Sequence, residues 1–155
     1  MTNYLTTWPN ETIKKRDRLL TVCDKALTGI EVAIDYGFNG HRDLILLDKA
    51  ITIIQQRLAE ATTLLSILVD SCDQNDKYPL WVLDALGLRN NGPPDAFTLM
   101  AENEQLLAII KQESNLKWRQ AEAPKKWLLQ MQTNFKEIKA HLLGQRWQGK
   151  AKPPR

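Results

Sequence analysis

The sequence predicts an all-α protein, a bundle of four to five helices whose long antiparallel members carry heptad-like seams. The first observation is a run of apolar or small residues at Leu44, Leu47, Ile51, Ile54, Leu58, Ala61, Leu65, Leu68 and Cys72. Its steps alternate three and four, the period of a helix that keeps one side against a partner. The second is that the same stepping recurs at Leu20, Cys23, Leu27, Ile30 and Ile34, and again at Leu128, Met131, Phe135, Ile138 and Leu142. The third is that no segment alternates apolar and polar residues over strand length with β-branched enrichment.

The first helix starts at Trp8-Pro9-Asn10, since proline fits a first turn and asparagine caps well. Ile13 lies one heptad before its seam, and Gly37 and Gly40 bracket its stop. Gly37-Phe38-Asn39-Gly40 reads as a tight hairpin, so the first two helices must pack on each other.

The second helix follows Asn39-Gly-His-Arg-Asp43 and runs without Gly or Pro to Ser71. At 1.5 Å per residue it is about 45 Å long. Leu46, Ala50, Ile53, Leu64 and Ile67 form a second stripe that widens its apolar face. Its seam is long enough to outrun its partners in a small domain and invite another chain.

Residues 73–78 are a polar turn, after which Pro79 opens a short apolar helix, Leu80 to Leu86, closed by Gly87. The stretch from Gly87 to Asp95 is dense in turn formers, and Asp95 is placed to cap the next helix. That fourth helix runs from about Ala96 toward Glu122, with Phe97, Met100, Leu107 and Ile110 on one side. Pro124 kinks it or begins a fifth, which carries the last seam and ends at Gly144. The expected organisation is one bundle domain over residues 1–143 and a basic tail over 144–155, as 155 residues suit a single domain.

Several functional classes fall away. The longest unbroken apolar run is Leu44 to Leu47, far short of the ~20 residues a membrane span needs. Neither a basic start nor an apolar stretch marks a secretory signal, and a cytoplasmic location is expected. Cys23 and Cys72 are too few for a disulfide scaffold and occupy seam positions, where a thiol packs as a small hydrophobe. His41 in a turn and His141 on the polar side of the fifth seam read as surface residues, in no metal-binding spacing. Asp70, Asp73 and Asp76 lack the glycine and glutamate of a calcium loop.

Gly144-Gln-Arg-Trp-Gln-Gly149-Lys150 has P-loop spacing up to its lysine, but Ala151 replaces the hydroxyl residue that binds magnesium. It also follows a helix rather than a strand, so it reads as coincidence. Glu102 and Glu104, two apart on a helix, point in different directions. With no nucleophile–base pair either, the chain is read as non-enzymatic, without cofactor or metal.

Charge is the informative feature. Residues 1–110 carry 10 Lys and Arg against 15 Asp and Glu, a net of −5. Residues 111–155 carry 11 against 3, a net of +8, and the two sum to the overall +3. Lys125, Gln132, Lys136 and Lys139 fall away from the fifth seam as one polar, cationic face. Trp118, Trp127 and Trp147 are interleaved with Lys117, Arg119, Lys125, Lys126 and Arg146. Trp127 borders Leu128 and reads as core, whereas Trp147 is open to packing or to a partner. The tail holds Arg146, Lys150, Lys152 and Arg155 without an acid, and Lys14-Lys15-Arg16-Asp-Arg18 forms a smaller cluster.

Bases interleaved with rings suit a phosphate backbone and unstacked bases, through counterion release and stacking. The candidate nucleic-acid-binding residues are therefore Lys117, Arg119, Lys125, Lys126, Lys136, Lys139, Arg146, Trp147, Lys150 and Lys152. An anionic protein surface would be served by the same residues. A membrane surface would not, because the basic helix keeps its apolar stripe for the bundle.

In size and pattern the chain resembles the small subunits of type I CRISPR effector complexes. The likeness is carried by the seams Leu20–Ile34, Leu44–Cys72 and Leu128–Leu142 and by Lys125, Lys136, Lys139 and Arg146. It spans the whole chain but includes no motif. It implies a helical bundle that lines up along a guide-RNA filament and helps hold displaced DNA. The acidic first two thirds depart from a uniformly basic member, and in such an assembly would meet protein neighbours. The expected function is thus a non-enzymatic accessory subunit that binds single-stranded nucleic acid or an RNA-guided complex beside protein subunits. The alternative is a protein-interaction or self-associating adaptor whose basic tail docks an acidic partner.

Overall fold

The computed structural model describes residues 8–38, 43–73, 78–88, 95–114 and 122–145. Their regular structure is entirely helical, in the order α1 (Asn10–Phe38), α2 (Leu44–Asp73), α3 (Leu80–Leu86), α4 (Ala96–Ser114) and α5 (Glu122–Leu142). The expected all-α bundle is what forms.

Local chemistry sets the boundaries. Thr12 donates both its backbone N–H and its hydroxyl to the Pro9 carbonyl, closing the first turn of α1. The Asp43 carboxylate accepts the backbone N–H groups of Ile45 and Leu46, satisfying donors that an α-helix leaves open at its start. Asp95 does the same for Thr98 at α4. Pro79 precedes α3 and Gly87 ends it with φ +84°, while Gly144 follows α5 with φ +72°. Pro124 lies in the first turn of α5, where its missing donor costs nothing. α4 is described as far as Ser114, and residues 115–121, over which the fourth helix is expected to run toward Glu122, lie outside the described set.

α1 and α2 are antiparallel and matched in length, at 29 and 30 residues. Contacts run in opposite senses along them: Gly37 meets Leu47, Gly29 meets Ile54, and Arg18 reaches Glu60. This match corrects one expectation, since α2 does not outrun its neighbour. Gly37 is also not the left-handed helix end expected of it. It is a buried helical residue against Leu47, and at Gly29 a methyl group would stand 3.1 Å from Ile54 Cγ1. Both glycines let the two helices approach closely.

The α2 seam is buried from Leu47 through Ile51, Ile54, Leu58, Ala61, Leu65 and Leu68 to Cys72. The α5 seam is fully buried at Leu128, Met131, Phe135, Ile138 and Leu142. On α1 the buried face is offset from the expected one. Leu19, Val22, Ala26 and Ala33 join Cys23, Ile30 and Ile34 in the core, while Ile13, Leu20 and Leu27 are partly buried against it. The second α2 stripe is only half right. Ala50 and Leu64 are buried, but Ile53 and Ile67 remain 44% and 40% exposed because α1 covers only one edge of that stripe. Phe97 is likewise 48% exposed, at a helix start that the core formed by Met100, Leu107 and Ile110 does not reach.

His141, expected at the surface, is buried with 7% exposure. It directly precedes the fully buried Leu142 in the last turn of α5, close to where Trp81 of α3 packs against Gly144; His41 lies outside the described residues. That end is built from Trp8, Tyr78 and Trp81, with edge-to-face ring pairs at 6.4 and 6.3 Å from Trp8. Trp8 Nε1 donates to the Leu142 carbonyl at 2.9 Å, joining the two ends of the helical array. Cys23 and Cys72 are free, buried thiols, as the seam positions imply.

Candidate nucleic-acid interface

Seven-residue spacing organises charge on α1. Neighbouring helical residues stand about 100° apart, so the doublets Asp17-Arg18 and Asp24-Lys25 place acids on one edge and bases on the next. The acidic edge, extended by Glu31, borders α5: the Lys139 ammonium bonds the Asp24 carboxylate there. The basic edge borders α2, where Arg18 lies 3.8 Å from Glu60.

Of the candidate residues, α5 carries Lys125, Lys126, Lys136 and Lys139 within the described set. Lys117, Arg119, Arg146, Trp147, Lys150 and Lys152 lie outside it, as do Trp118 and Arg155. The described four do not form a uniform face. Lys126 and Lys136 are exposed, whereas Lys125 and Lys139 are half-buried. Lys139 spends its charge on Asp24, so this lysine is a strut between α5 and α1 rather than a free phosphate ligand. Lys126 stands about 100° around the helix from Lys125 and so looks in another direction. Trp127 packs against the core as a partly buried residue, as expected.

Leu129 and Leu143 share the Lys136 side and stay 43% and 40% exposed. On the opposite side, α5 meets α4 through an amide chain that runs from the exposed Gln130 to a buried asparagine pair. Gln130 donates to Asn134 Oδ1 and Asn134 donates to Asn103 Oδ1, each at 3.0 Å. Asn103 and Asn134 are essentially without solvent exposure, and the Asn103 Nδ2 group has no partner.

The thiols offer no activated nucleophile. Burial pushes Cys23 up to about 12, the Asp24 charge adding to it and the Lys139 charge opposing it. Burial likewise raises Cys72 to about 11, against the lowering effect of a hydrogen bond with Tyr78. Among the described residues there is no group of three or more His, Cys, Asp or Glu side chains that could hold a metal ion. No described helix is long and apolar enough to cross a membrane.

Lys14 and Arg18 were noted only as part of a smaller basic cluster, and Lys25 not at all, because residues 1–110 as a whole sum to −5. Their spacing of four and seven was the available signal. Comparison with family models, curated proteins and solved structures returns no match.

Proposed function

We propose that the protein is a non-catalytic accessory subunit of a nucleoprotein assembly and contacts phosphate backbone through its basic carboxyl-terminal third. The observation that carries this is the net charge of +8 over residues 111–155, with Lys126 and Lys136 exposed on α5. Lysines on a rigid helix give positions to a polyanion without supplying chemistry, and counterion release makes such contacts favourable at low salt. An all-helical chain of this size also suits the small subunit of a type I CRISPR effector complex, which is the specific form of the proposal. A mobility-shift titration with a single-stranded oligonucleotide tests it. Binding should weaken when Lys126, Lys136 and Arg146 are replaced by Glu; no binding at low salt, or binding indifferent to those changes, rejects it.

The acidic edge of α1 favours a second possibility. Asp17, Asp24 and Glu31 stand beside α5 and lower its positive potential, so a protein carrying both signs of charge would also fit this side of the bundle. Ultracentrifugation with and without candidate protein subunits separates an adaptor from a nucleic-acid binder.

A further inference from the structure

The outer face of the α1–α2 hairpin gathers basic residues from two helices. On α1, Lys14, Arg18 and Lys25 are exposed, and Tyr36 follows Arg18 by eighteen residues, which is five full turns and the same direction. Gly29 and the half-buried Val32 continue that face between them. On α2, Lys49, Ile53, Gln56 and Arg57 lie along the adjoining side, and two contacts fix the juxtaposition. Arg18 approaches Glu60, and the Gly29 backbone abuts Ile53.

Glu60 is already engaged by Arg57 at 3.2 Å as well as by Arg18. Of the acids of α1, Asp17, Asp24 and Glu31 belong to the other edge of the helix, while Glu11, seven residues before Arg18, stands on this face at its end, beyond Lys14. The face therefore presents five bases, Lys14, Arg18, Lys25, Lys49 and Arg57, against the engaged Glu60 and a single further acid, Glu11, at the end away from the 40% exposed Tyr36 ring. Lys14 and Arg18, four residues apart, are separated by about 6 Å along the axis.

We infer that this α1–α2 face is a second polyanion surface and that its partner is a single strand of nucleic acid. The strand's phosphates would run along the bases, and one of its bases would stack on Tyr36. This rests on the proposal that the chain binds nucleic acid, and it places contacts within the net-acidic part of the sequence. An exposed ring at the end of a basic row is what distinguishes an unpaired strand from an acidic protein, because bases offer π-faces and carboxylates do not.

Fluorescence anisotropy of the full chain with a labelled oligouridylate, followed across a salt series, tests the inference. Three variants are compared with the parent: Lys14→Gln/Lys25→Gln/Lys49→Gln, Tyr36→Ala, and Lys126→Gln/Lys136→Gln. All change exposed side chains, and circular dichroism checks that each is folded. Each single-strand phosphate contact contributes about −0.7 to the slope of log K against log salt, so the triple variant should flatten that slope by about 2. Its loss of affinity between about 50 and 200 mM salt should shrink by roughly 20-fold relative to the parent. Tyr36→Ala should weaken binding by about 5- to 100-fold at every salt concentration, the signature of a stacking contact.

A parent that binds with a slope altered only by Lys126→Gln/Lys136→Gln overturns the inference and leaves the carboxyl-terminal proposal standing. A parent that does not bind overturns both. Equal binding of polyglutamate, indifferent to Tyr36→Ala, also overturns it and identifies the face as a dock for an acidic protein.

Discussion

Replacing Gly87 by alanine should destabilise the bundle by about 2–4 kcal/mol, through two separable effects. Gly87 has φ +84°, in the left-handed region, where an L side chain costs about 1–2 kcal/mol. A methyl group there would also stand 2.8 Å from the Asp95 carboxyl carbon, closer than real Cβ contacts come. Asp95 is the cap that accepts the Thr98 N–H at 2.8 Å, and losing such a cap costs about 1 kcal/mol. Pushing the carboxylate aside therefore adds a cap-sized loss to the backbone strain. In a protein of this size each kcal/mol lowers the melting temperature by about 2–4 °C, so Gly87→Ala should melt roughly 5–15 °C lower. The cycle with Asp95→Ala separates the parts. Alone, Asp95→Ala should cost about 1 kcal/mol, and combined with Gly87→Ala it should add little, because the cap is already displaced. Urea unfolding followed by circular dichroism measures all four corners. A Gly87→Ala cost below about 0.5 kcal/mol, or costs that simply add, would refute the reasoning.

Four further outcomes follow from the buried groups. Asn103→Leu alone should cost about 1–3 kcal/mol by leaving the buried Asn134 Nδ2 donor without its acceptor, whereas Asn103→Leu/Asn134→Leu should recover much of it; urea midpoints decide this. A thiol reagent at pH 8 should label neither Cys23 nor Cys72 in the folded protein and both after denaturation, read by mass. Since the folded Cys23 pKa lies above the ordinary 9.0, stability is whole below pH 9 and falls toward about pH 12, so the urea midpoint should drop from pH 8 to pH 10. Trp8→Phe should cost about 1 kcal/mol by removing the indole donor from the Leu142 carbonyl, with a matching fall in melting temperature.

The helical class was legible because a seam is a local pattern with a global cause. A residue that repeats at three and four on α2 or α5 must meet a partner helix, and Leu47 to Cys72 and Leu128 to Leu142 are buried accordingly. Caps were legible for the same reason, and Asp95 and Gly87 behave as their types require. Which flank of a seam receives the second neighbour is a tertiary choice, however. The periodicity of α1 accommodates Leu20 and Leu27 as well as Leu19 and Ala26, and the position of α2 selects the latter pair. Ile53 and Ile67 stay in solvent for the corresponding reason on α2.

The candidate site was less legible because charge was summed along the chain. That sum is blind to the turn of a helix: Asp24 and Lys25 cancel in it although they stand on different edges of α1. It likewise counts Lys139 as available, when the fold has set Asp24 against it. The contrast between −5 and +8 is real in sequence, but on the described surface charge is sorted by helix edge.

The hydrogen bond from Trp8 to Leu142 spans 134 residues of chain. Closing so long a loop carries a large entropic cost, whereas the α1–α2 hairpin needs only a short one. That difference predicts an order of assembly in which the hairpin zips first and the aromatic end is sealed once α5 has docked. In the native state local opening is expected to start where the helices terminate. Amide exchange in the final turn of α5 should therefore outpace exchange at the centre of α2.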